Sequence, residues 1–295
     1  MTLHERAAIA RGIKWVDEVV EGVPYNPTIE ILNKLSCDYN AHGDDIAKDS
    51  TGEDSNIEIK KAGRMKIFKR TEGVSTTDIV GRLLQITQLS RDTEEIDSKP
   101  MMSGQYINVL RQAHRKASDE SDEESKVRAV KFLATSRRLR QFSNNNEPKA
   151  TDKIVYVSGS FDIFHCGDVE LLQKAKGMGD FLLVGIYDDK TCREIYGLTY
   201  PILSLHERIL NVLACKYVDE VVIGAPWFIT EDLVKSFNIQ LIVDRDPEFH
   251  LALPKYAKSD NYQLAREKEI YTKIILENKI TIDTFIERIL NNRDK

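Results

Sequence analysis

The C-terminal half of the chain alternates short apolar runs with amphipathic segments. Ile154-Val155-Tyr156-Val157 is a wholly apolar, β-branched run closed by Ser158-Gly159-Ser160, which predicts a buried strand and then a loop. Val169 to Met178 carries apolar residues at helical spacing, with Leu171, Leu172 and Ala175 inward and Gly177 and Gly179 as its stop. Phe181 to Tyr187 predicts a second buried strand and His206 to Cys215 a helix. Asp219 to Ile223 predicts a third strand, Glu231 to Phe237 a helix and Ile239 to Val243 a fourth strand. Strands that are apolar on both faces and alternate with helices predict a parallel sheet covered on both sides. This is a doubly wound α/β unit, and ligands of such sheets bind beyond the carboxyl ends of the strands.

The pattern occurs twice. Leu3-His4-Glu5-Arg6 recurs as Leu205-His206-Glu207-Arg208, and Lys14-Trp15-Val16-Asp17-Glu18-Val19-Val20 recurs as Lys216-Tyr217-Val218-Asp219-Glu220-Val221-Val222. Pro24-Tyr25 recurs as Pro226-Trp227, and the offset is 205 − 3 = 202 in every block. Met1 therefore aligns with Leu203, and the stretch from about Lys153 to Ile202 has no counterpart in the first copy. The expected organisation is an incomplete first unit over 1–90, a partly disordered linker over 91–152 and a second unit over 153–295. The acidic run Ser118 to Ser125 and the loop Asn144 to Pro148 mark that linker as solvated. Without its central strand, the first copy is expected to expose a sheet edge and apolar helix faces.

Composition narrows the setting. The 295 residues carry 42 basic and 47 acidic side chains, a net charge of −5, which gives no footprint for coating nucleic acid. The longest apolar stretch, Phe181 to Tyr187, is far short of the ~20 residues that span a bilayer. Residues 1–12 lack the apolar core of a secretory signal. Cys37, Cys166, Cys192 and Cys215 form no Cys-x-x-Cys pair, so neither a disulfide framework nor a zinc site is expected. A reducing, cytoplasmic location follows as the expectation.

The chemistry concentrates between Ser158 and Asp168. Small residues let backbone approach a ligand, the helix that follows presents free N–H groups, and His165 can donate to a phosphoryl oxygen. Transfer of a phosphoryl-type group asks the protein mainly for placement and charge stabilisation. Asp162 reads as a turn or cap residue, the Asp17-Glu18 and Asp219-Glu220 pairs as architectural, and Trp15 and Trp227 as core residues.

With these residues in view, the chain resembles the HxGH nucleotidyltransferase superfamily, and within it the ethanolamine-phosphate cytidylyltransferases. The likeness rests on Gly159 to His165, Leu205-His206-Glu207-Arg208, Tyr217 to Val222, Ala225-Pro226-Trp227 and His42-Gly43-Asp44-Asp45. Its most specific element is Arg70 to Asp78, which is similar to the family's RTxGxSTT signature. The resemblance implies two Rossmann-like cytidylyltransferase units, the first incomplete here. It also implies CTP and phosphoethanolamine as substrates, CDP-ethanolamine and pyrophosphate as products, and Mg²⁺ accompanying CTP. His165 would be the catalytic histidine. Ser160, Phe161, Gly167, Asp168, His42, Gly43, Asp44, Arg70, Thr71, Gly73, Ser75 and Thr76 would contact the nucleotide. A homodimer is a further expectation of the superfamily.

The sequence departs from that pattern in both copies. In the second copy Asp168 stands at the second histidine of HxGH, and Tyr196 stands where the family has a lysine. Aligning Arg82 with Arg288 places Leu276 opposite Arg70 and Lys279 opposite Gly73, so the phosphate signature is lost there. A carboxylate facing a triphosphate repels it unless Mg²⁺ lies between them. Two accounts follow: a shortened form of an active tandem enzyme, or an inactive paralogue that binds nucleotide or supports oligomerisation.

Overall fold

The structure, a computed structural model, describes residues 1–44, 54–69, 79–84, 142, 147–197, 199–245 and 260–293. They fall into two compact units, Met1–Asp17 with Ile79–Lys295, and Glu18–Asp78.

The larger unit is built on β3 (Ile154–Gly159), β4 (Phe181–Ile186), β5 (Glu220–Ile223), β6 (Ile239–Arg245) and β7 (Tyr271–Ile274). These strands are parallel and ordered β5-β4-β3-β6-β7, so β3 is central. Side chains alternate between two cores because successive strand residues face opposite sides. Val155, Val157, Leu182 and Val184 pack under α4 (Cys166–Lys176) and α6 (Leu205–Ala214). Ile154, Tyr156, Phe181 and Leu183 pack under α7 (Glu231–Ser236) and α8 (Gln263–Glu267). The doubly wound expectation is met. Four elements of this unit escaped the sequence pattern: α5 (Asp189–Tyr196), α8, the edge strand β7 and the last helix, Ile282–Arg293. Helix α9 (Ile282–Arg293) closes the unit. Trp227 meets Tyr187 edge-on at 5.6 Å. Trp15, expected in the core, is 54% exposed and touches Phe142 edge-on.

The smaller unit holds α2 (Ile29–Lys34), β1 (Asn40–Gly43), α3 (Ile57–Lys61) and β2 (Met65–Phe68), with β1 parallel to β2. It repeats half of the larger sheet in register. Asn40 faces Met65 as Ile242 faces Tyr271, at offsets of 242 − 40 = 202 and 271 − 65 = 206. Helices α2 and α7 coincide at offset 231 − 29 = 202, and both start on a threonine cap, Thr28 and Thr230. The left-handed residues repeat as well: Gly22 with Gly224, Ser36 with Asn238, and Gly63 with Glu269. Ile67 and Phe68 of β2 are more than half exposed.

The grouping differs from the 1–90 unit read from the repeat. Helix α1 (Leu3–Gly12) packs on α4 of the larger unit, and residues 79–84 belong there too. The reason is a local two-fold. Lys14 N donates to Ala214 O at 2.9 Å, and its counterpart Lys216 N donates to Gly12 O at 2.8 Å, about an antiparallel bridge between the equivalent residues Ile13 and Cys215. Arg82 of the first copy pairs with Glu207 of the second at 2.9 Å. Arg288 of the second pairs with Glu5 of the first at 2.8 Å. A contact that is returned by the equivalent residues in reverse is the mark of a two-fold interface, here within one chain.

Candidate nucleotide site

Strand β3 ends at Gly159, and the chain turns sharply over Ser160 to His165. Phe161 and Ile163 adopt φ of 50° and 47°, the left-handed region that side chains disfavour. Burial holds them there. Phe161 lies under Gly159, where an added Cβ would come within 3.2 Å of its ring. Ile163 joins Ile202, Leu203 and Phe285 in a separate core. Asp162 is a turn residue, as expected: its two oxygens accept from Ile202 N at 2.7 Å and Leu203 N at 2.9 Å. Burial nonetheless raises its carboxyl above the ordinary range.

His165 caps α4 in extended conformation. It is 5% exposed, its Nδ1 has no hydrogen-bond partner, and burial keeps its pKa below the ordinary value. Asp168 is 2% exposed, and its carboxylate accepts from His165 N at 3.1 Å. The other oxygen of Asp168 accepts from Arg245 Nη2 at 2.8 Å, from the carboxyl end of β6. The sequence reading left this carboxylate bare or bridged by magnesium; the fold pairs it with an arginine instead.

Arg208, fully buried in α6, is the residue that sequence reasoning missed. It donates to Ser160 O at 2.7 Å, Tyr187 O at 2.8 Å and Leu203 O at 3.1 Å, and reaches Asp189 at 2.7 Å. One guanidinium thus ties the turn, β4's end and the loop before α6 together. Its signal was present in the repeated Leu-His-Glu-Arg block. The first-copy Arg6 instead bonds Met1 O at the surface.

The turn borders a cavity of about 100 Å³. Ser160, Phe161, His165 and Asp168 all line it, so the bend is not filled by its own side chains. Tyr196, Tyr200, Arg245 and Asp283 complete much of the wall. Gly167 lies just behind, where a Cβ would stand 3.0 Å from Asn278 O. His42, Gly43 and Asp44 sit at the carboxyl end of β1 in the smaller unit, with His42 Nδ1 3.0 Å from Gly43 O. Arg70, Thr71, Gly73, Ser75 and Thr76 lie outside the described residues. Among the described residues no group of three His, Cys, Asp or Glu side chains is arranged to hold a metal ion. Asp162 is engaged by backbone and Asp168 by Arg245.

A family model described as cytidylyltransferase-like matches residues 1–82 and 156–283. Ethanolamine-phosphate cytidylyltransferase of Dictyostelium discoideum is 41% identical over 99% of this chain and 78% of its own length. The chain belongs to the ethanolamine-phosphate cytidylyltransferase family. The Arabidopsis thaliana ethanolamine-phosphate cytidylyltransferase is 40% identical over 99% of this chain and 69% of its own length. The Mus musculus ethanolamine-phosphate cytidylyltransferase is 36% identical, over 99% and 74%. These cytidylyltransferases match both repeats at once, and the α/β fold with its parallel sheet accords with the family. No described helix is long and apolar enough to cross a membrane.

Proposed function

We propose that the chain transfers the cytidylyl group of CTP to phosphoethanolamine, giving CDP-ethanolamine and pyrophosphate in the cytoplasm. The observation that carries the reading is the alignment with ethanolamine-phosphate cytidylyltransferases at 36–41% identity along 99% of the chain. In the reaction a phosphate oxygen of the acceptor attacks the α-phosphorus of CTP, and the bond to the β-phosphate oxygen breaks. The protein's part is placement and stabilisation of charge on the phosphoryl oxygens. His165, at the helix start beside the cavity, supports that role. His42, Gly43 and Asp44 with the Arg70, Thr71, Gly73, Ser75 and Thr76 signature supply phosphate contacts in this reading. Magnesium enters with CTP as part of the substrate. A homodimer completes the proposal.

A second reading has one observation in its favour. The Asp168–Arg245 pair occupies the place of the second histidine, which favours a binding role without catalysis for the C-terminal repeat. Pyrophosphate release from CTP decides between them. The transfer reading expects release only with phosphoethanolamine present, and a loss of about 10²–10³-fold in His165→Ala. CTP binding by calorimetry without release would overturn it and leave the binding role.

A further inference from the structure

The turn that carries His165 is supported from the other copy. Ile163, two residues before His165, is β-branched and adopts φ of 47°. A β-branched residue is strained there, and such strain persists only where the surroundings impose the conformation. Ile163 is buried in a core with Ile202, Leu203, Phe285 and Leu83. Ile202 and Leu203 also give Asp162 its two backbone donors. The Phe285 ring centre lies 6.1 Å from that of His165. These residues belong to the second copy, with one exception. Leu83 comes from the first copy, on the helical segment 79–84, and is 4% exposed.

A polar contact anchors the same segment. Arg82 Nη1 donates to Glu207 Oε2 at 2.9 Å and to Ile202 O at 3.4 Å. Glu207 closes the capping box of α6, and the next residue, Arg208, donates to Ser160 O within the turn. The first copy therefore reaches the turn twice: through Leu83, in the core that buries Ile163, and through Arg82, at the start of α6. Placement is what phosphoryl-type transfer asks of a protein, and a misplacement of about 1 Å can cost about 10²-fold in rate.

We propose that Leu83 of the first copy is a positioning residue for His165 of the second, filling the core that holds Ile163 in its left-handed conformation. Its effect on rate rests on the cytidylyl-transfer reading; its effect on the turn does not. Two readouts on the full chain test it. Leu83→Ala is expected to lower kcat for pyrophosphate release about tenfold and to change KM for CTP less than about threefold, with Leu83→Met restoring kcat to within about threefold. The second readout is the imidazole resonance of His165, assigned by its absence from His165→Ala and titrated by NMR. Burial lowers the pKa of His165, while Asp168 and Glu5 raise it and Arg245 lowers it. Loosening the turn admits water, so in Leu83→Ala that pKa is expected to rise toward 6.5, and in Leu83→Met to keep its original value. Val234→Ala, a truncation in the opposite core, is expected to move neither readout, and an equal shift there would overturn the proposal. Where thermal melts show Leu83→Ala unfolded, Leu83→Val carries both measurements. An unmoved His165 titration in the folded variant overturns the proposal, and so does an undiminished kcat in an active chain. A moved titration in a chain that releases no pyrophosphate would sink the transfer reading alone; release with an unmoved titration would sink this proposal alone.

Discussion

Asp168 shows how one substitution is absorbed by a residue far away in sequence. Replacing a phosphate-facing histidine by a carboxylate at 2% exposure would bury an unpaired charge, which proteins avoid. Arg245 at 2.8 Å removes that problem, and Asp168 in turn holds His165 N. The pair predicts a marked asymmetry among variants. Asp168→Ala leaves Arg245 without its counter-ion and is expected to cost about 3–5 kcal/mol in denaturant unfolding. The double variant Asp168→Ala with Arg245→Met removes both charges and is expected to recover most of that loss. Additive costs would show that the two groups act separately. The positions are 245 − 168 = 77 residues apart, which is why the sequence showed the carboxylate and hid its partner. Sequence reasoning placed the His165 turn correctly because a strand, small residues and a helix start follow one another without a gap.

At the scale of elements, the loop before α9 is fastened to α4 by Glu170. That carboxylate accepts from Lys174 at 2.7 Å, from Glu277 N at 2.8 Å, and from Asn278 N and Nδ2 at 2.9 and 2.7 Å. Burial works to raise its pKa, but these bonds prevail and hold it at about 2. A carboxyl depressed in the folded state stabilises fully above its unfolded value, near 4.3, and that contribution disappears as pH falls toward 2. Glu170→Gln is therefore expected to lower the melting temperature at pH 7 and to flatten its decline between pH 4.5 and 2. An unchanged acid limb would reject this role for Glu170. Strand β7 illustrates what element patterns miss. Tyr271-Thr272-Lys273-Ile274 is short, sits at the sheet edge and carries a lysine, so its apolar signal is weak. Its register with β6 becomes legible only beside β1 and β2.

Within the larger unit, segments of the two copies meet about a local two-fold, which the repeated blocks by themselves did not show. The exchanged ion pairs are equivalent by position but not by burial. Glu5 has 8% of its side chain exposed against 19% for Glu207. Both keep the backbone donor of their capping box at 2.8 Å, Thr2 N on Glu5 and Ser204 N on Glu207, and Glu207 adds Ser204 Oγ at 2.8 Å. Arg288→Ala is expected to cost about 1.5–3 kcal/mol, because a nearly buried carboxylate loses two charged donors. Arg82→Ala is expected to cost under about 1 kcal/mol. Equal losses in parallel denaturant titrations would contradict this ranking.

A reciprocal seam of this kind has a historical meaning. Two equal subunits that once met as a symmetric pair can be joined end to end without altering the surface between them. After joining, each half stops answering for the same chemistry, yet neither can leave the other's side. The guanidinium that each lends to its sibling holds the two together while their sequences drift apart.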